Sequence, residues 1–155
     1  MVNEPSFRGG ARLVRDRVGA THVLALGRFS TERGPHASDA LIIERDSLVA
    51  RALPLTLRGP RGRGWVDAAA FHGDRLVIAG EFTHVNGVER DKVAEIALDG
   101  RVTDWAPKLV FTGASPFVEA IAVHEGVVAF GGGLVVNDVD PPVLHVLRFG
   151  RRAPT

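Results

Sequence analysis

Short apolar runs separated by turn residues recur along the chain, and helical spacing is nearly absent. Residues 66–71 are small and apolar apart from Asp67, and His72-Gly73-Asp74 follows as turn chemistry. Residues 75–80 are then β-branched and apolar and close on Gly80, which predicts a hairpin. A loop with the turn pair Asn86-Gly87 comes next. Residues 93–98 predict a third strand closed by Asp99-Gly100, and residues 101–105 a short fourth strand before Ala106-Pro107. The stretch before it runs in the same order, with predicted strands at 13–18, 23–27, 40–43 and 48–51. The stretch after it gives 118–123, 127–130 and 143–147, with no clear fourth strand.

These stretches are repeats. At an offset of 53 residues Leu13 falls on Val66, Gly27 on Gly80, Phe29 on Phe82, Ile43 on Ile96, Asp46 on Asp99 and Pro54 on Pro107. A further 52 places Val66 on Val118, His72 on His124 and Gly80 on Gly132. Four short strands in roughly 50 residues is the size of a propeller blade. The expected fold is therefore all-β and propeller-like, with three repeated four-stranded antiparallel units and a short last one. The units are residues 13–65, 66–117 and 118–155, preceded by an N-terminal segment over 1–12. Residues 58–64, Arg-Gly-Pro-Arg-Gly-Arg-Gly, link the first unit to the second and read as an exposed, mobile loop. Gly80 and its equivalents are expected at a bulge or a close backbone approach. Phe82 and Phe29 are expected as plugs between neighbouring units, and Asp99-Gly100 as a turn with positive φ.

Composition narrows the class without choosing a function. The 155 residues are 45% hydrophobic and 24% charged, with a formal net charge of +1, which is a globular composition with no general appetite for polyanions. Eighteen glycines and nine prolines suit many tight turns. The absence of cysteine rules out disulfides and thiolate metal sites and leaves the redox compartment open. The first residues show no basic region followed by an apolar stretch, so no signal peptide is expected, and no apolar run is long enough to span a bilayer.

The stretch Leu76-Val77-Ile78-Ala79-Gly80-Glu81-Phe82-Thr83-His84-Val85-Asn86-Gly87-Val88-Glu89-Arg90, continued by residues 93–96, Asp99-Gly100 and Trp105-Ala106-Pro107, resembles one unit of the delta-60 repeat family. The first repeat keeps Gly27-Arg28-Phe29-Ser30 but replaces Val-Asn-Gly with Glu32-Arg33-Gly34. The third keeps Gly131-Gly132-Gly133 and places Leu134 where the aromatic stands. The resemblance implies β-propeller blades and points towards secreted or cell-surface bacterial proteins. It carries no residue-level roles.

Candidate chemistry is sparse. Asn137, Asp138 and Asp140 place three oxygen donors in one loop that a calcium ion can use, but the glycine and distant glutamate of an EF-hand are missing, and a polar turn before Pro141-Pro142 is the better reading. No His-Glu-x-x-His pattern points to zinc, and His72 and His124 are explained by repetition. The glycine run 131–133 lacks the lysine and helix of a phosphate cradle. Three arginines in the 58–63 linker can grip phosphates, but the net charge and the lack of interleaved aromatics argue against nucleic acid. No Gly-x-Ser-x-Gly elbow is present. No cofactor and no catalytic residue is nominated.

These observations lead to a non-catalytic binding or scaffold module with a protein or glycan partner. Three blades leave open sheet faces, so self-association or a partner subunit is expected. A carbohydrate-active or hydrolytic propeller enzyme and a purely structural subunit are the alternatives.

Overall fold

The computed structural model describes residues 12–18, 21–30, 37–107, 118, 120–131 and 145–148. Among these residues the protein is all-β, with no helix. The first sheet is a meander of β1 (Arg12–Val18), β2 (His22–Ser30), β3 (Ala37–Glu44) and β4 (Ala50–Ala52), all antiparallel neighbours. A small sheet is built from β5 (Leu57–Gly59) and β6 (Gly62–Arg63) with two later strands. The middle sheet begins with β7 (Trp65–His72) and β8 (Arg75–Glu81). Strands β9 (His84–Val85) and β10 (Val88–Glu89) leave to join the small sheet, and β11 (Val93–Ala97) returns to pair with β8. The third sheet is β12 (Ala120–His124), β13 (Val127–Gly131) and β14 (His145–Arg148).

The middle sheet is apolar on both faces, which is why its strands read as nearly continuous apolar runs rather than as alternation. Ala69, Leu76, Ile78, Ala94 and Ile96 point one way and pack with Leu24, Leu26, Ala40 and Ile42 of the first sheet. Ala68, Ala70, Val77, Ala79 and Val93 point the other way and pack with Val118, Ile121, Val128 and Phe130. The two sets alternate residue by residue, as the pleat requires. The alanines of β7 let neighbouring first strands come close: β7 touches both β1 and β12. Phe82 is fully buried in the cluster shared by the first, small and middle sheets.

The turns follow their chemistry. Gly73 has φ of 61° in the two-residue turn between β7 and β8. Asn86 and Gly87 both have positive φ, 48° and 82°, as a type I′ hairpin turn demands. Opposite Gly80, the register of β7 slips between Val66 and Ala68. The same slip sits opposite Gly27 in the first sheet, between Leu13 and Arg15, so the repeated glycine does mark a repeated bulge.

Two sequence expectations change. Residues 58–64 are exposed at most positions but form no free loop: Arg58 pairs with Arg63 in a β5–β6 hairpin, and β5 pairs with β9. The fourth strand of the middle unit shrinks to one bridge, Ile96 to Val102, flanked by hydrogen bonds from Ala97 N to Arg101 O and from Thr103 N to Glu95 O. Beyond it, the Thr103 carbonyl accepts instead from the Arg90 guanidinium at 2.7 Å, which ends the ladder.

Asn86 is the staple that seats the small sheet. Its Oδ1 accepts from Thr56 N at 2.6 Å, and its Nδ2 donates to the carbonyls of Pro54 at 2.8 Å and Gly100 at 2.6 Å. An Asn86→Asp variant keeps the turn conformation but points a carboxylate at two carbonyls. It is expected to lose about 2 kcal/mol in chemical denaturation. A residue needed only for its positive φ would tolerate aspartate without measurable loss.

Candidate functional site

One polar cluster is built into the apolar middle sheet. Glu95 occupies the centre of β11, and its side chain is 2% exposed. Parity puts it on the same face as its cross-strand neighbour Val77. His72 and Arg75, which pair directly across the turn end of β7–β8, lie on that face too. Glu95 Oε1 accepts from His72 Nδ1 at 2.5 Å. Glu95 Oε2 accepts from Thr103 Oγ1 at 2.7 Å and from Arg75 Nη1 at 3.2 Å. His72 is 30% and Arg75 44% exposed, so the buried carboxylate anchors two basic side chains that reach the surface.

The cluster belongs to the middle unit alone. In the register of the other sheets, the partner of Leu24 is Ile42 and that of Ala129 is Val146, the positions that match Glu95 opposite Val77. An acid in an otherwise apolar strand was the signal in the sequence. Its partners were hidden, because His72 and Arg75 flank the β7–β8 turn and Thr103 follows β11, segments that only the sheet register brings together.

Burial raises the Glu95 carboxyl pKa, but hydrogen bonds from His72, Thr103 and Arg75, together with attraction to His72, outweigh it. The carboxyl therefore titrates below its ordinary value of 4.5. A group depressed in the folded state contributes stability that is present above the unfolded value and lost as pH falls through the folded one. Glu95→Gln is thus expected to cost about 2 kcal/mol near neutrality. Its melting temperature should converge on that of the native protein as pH drops below 4.5. A deficit that stays constant down to pH 3 would mean that the charge of Glu95 carries no stability.

Chemically the cluster is closed. Both carboxylate oxygens are engaged and neither is open to solvent, so Glu95 orients side chains rather than meeting a ligand. The other sequence candidates scatter. Asn137, Asp138 and Asp140 lie outside the described residues. His124, the repeat equivalent of His72, is exposed, with Nε2 3.8 Å from Glu125 Oε1. His22 contacts Thr21 Oγ1 at 2.8 Å. Among the described residues, no group of three histidine or acidic side chains is placed to hold a metal ion. No helix among them is long and apolar enough to cross a membrane.

An open depression of about 420 Å³ lies on the third sheet, lined by Ala122, His124, Glu125, Val127 and Ala129. Ala122 and Ala129 match Ala70 and Val77 in register, the positions that the middle sheet buries against the third. No family model, curated protein or solved structure matches the chain. The likeness to delta-60 repeats therefore rests on the residues of the middle unit themselves.

Proposed function

We propose that the chain is a non-catalytic binding or scaffold module made of propeller blades, completed by further copies or a partner subunit. The observation that carries the non-catalytic part is the closure of the Glu95 cluster, in which each carboxylate oxygen already has protein partners. The blade arrangement is supported by contacts among the first strands, β1 with β7 and β7 with β12, as blades around a common axis would make. It is supported further by the bulges opposite Gly27 and Gly80. On this view the frame is rigid and ligands meet its exposed ribbons, with affinity supplied by a few side chains.

The test compares native protein and Glu95→Gln on a panel of aryl glycosides and aryl esters. Neither protein is expected to turn any of them over. Turnover by the native protein that Glu95→Gln abolishes would contradict the proposal and favour a hydrolytic propeller.

A further inference from the structure

The segment 58–64, expected as a loop, contributes to a row of basic side chains on an ordered surface. Directly opposed residues in an antiparallel ladder share a face. The pairs Arg63 with Arg58, Arg58 with His84, and His84 with Glu89 therefore set four side chains in line across β6, β5, β9 and β10. The other face carries Leu57 and Val85, both buried in the core cluster. The small sheet is thus amphipathic, and its apolar side fixes the direction in which the row points. Arg58 and Arg63 are exposed, as is Arg61 at the turn tip.

Two like charges directly opposite each other cost stability. Among the described residues no carboxylate pairs with Arg58. The only acid in the row is Glu89, at its far end, and Glu81 stands opposite Trp65 in the next sheet. Neighbouring strands lie about 4.8 Å apart, so the two guanidiniums and the imidazole cover roughly 10 Å, the reach of one or two sugar units. Trp65, two residues beyond Arg63 and so within about 7 Å along the chain, is 48% exposed. It is the only aromatic among the exposed large hydrophobic side chains of the described residues. A single-stranded nucleic acid needs successive rings for successive bases. One ring beside a short charged row fits an anionic sugar better.

We infer that the Arg63–Arg58–His84 row, with Arg61 and Trp65 beside it, is a binding surface for an acidic glycan bearing sulfate or carboxylate groups. This deepens the binding-module proposal and rests on it, but does not require a closed ring.

The experiment titrates the full chain with dextran sulfate, unsulfated dextran and a single-stranded oligothymidine, and compares native protein with Arg58→Glu and with the double variant Arg58→Ser, Arg63→Ser. Native protein should bind dextran sulfate and not dextran. The double variant should bind at least tenfold more weakly, with a log K against log salt slope shallower by about 1.5. Arg58→Glu should lose binding while still melting in a single cooperative transition, since Arg58 is exposed and the substitution reverses the charge at the centre of the row. Unchanged dextran sulfate affinity in both variants would overturn the assignment. So would tighter binding to oligothymidine than to dextran sulfate. Either result leaves the non-catalytic module standing, because turnover tests that separately.

Discussion

Replacing Phe82 with alanine is expected to cost about 3–5 kcal/mol and to lower the melting temperature more than any surface change. The ring is fully buried although it stands outside the regular strands, between β8 and β9. Its cluster joins Leu26 and Ala40 of the first sheet, Leu57 and Val85 of the small sheet, and Ile78 of the middle sheet. The cluster is shared by three sheets, so removing the ring leaves a cavity that none of them can close without leaving its own ladder. The segment is also pinned, with the Phe82 carbonyl accepting from Lys92 N at 3.0 Å. Phe82→Leu keeps much of the volume and should recover more than half of the loss. A melting transition unchanged in Phe82→Ala would remove the ring from the core and with it the idea that it joins the sheets.

Gly80→Ala is the second large effect, at about 3 kcal/mol. A Cβ there would lie 2.1 Å from the Trp65 carbonyl oxygen and 2.9 Å from Val66 Cα. Both obstacles are backbone, held by the β7–β8 ladder, so relief requires breaking pairs on either side of the bulge. Gly131 gives the matched control. It also ends a second strand, but among the described residues the nearest neighbour to a new Cβ is the Ala120 methyl at 4.0 Å, and Gly131→Ala should be neutral within about 0.5 kcal/mol. Equal losses at the two glycines, in the same denaturant series, would show that strand entropy and not the bulge sets the requirement.

Both predictions rest on features that the sequence displayed. Gly80 recurs at Gly27, and a glycine at the end of an apolar strand has few jobs besides close approach. The turns at Gly73-Asp74, Asn86-Gly87 and Asp99-Gly100 were equally open, because each is set by two or three adjacent residues. What stayed hidden was nonlocal. The 58–64 segment has the composition of a flexible link, and its strands of two and three residues are too short for any periodicity. It becomes a ribbon only because β9, some 26 residues further on, pairs with Arg58. Glu95 was visible as an acid among apolar neighbours, yet its meaning depends on register: only when Val77 stands opposite it does His72 fall on the same face. The fourth strand of the middle unit looked longer than it is, since strand propensity at 101–105 says nothing about the Arg90 side chain that captures the Thr103 carbonyl.

The account as a whole turns on the open sheet faces. On the middle sheet, Ala70 and Val77 are buried against the third sheet, whereas the matching Ala122 and Ala129 line an open depression. Sedimentation velocity across a concentration series tests this most directly. The account predicts a species at least twice the mass of one chain, reduced to a single chain when Ala122 is replaced by lysine. A monodisperse single chain at every concentration, unchanged by Ala122→Lys, would contradict it.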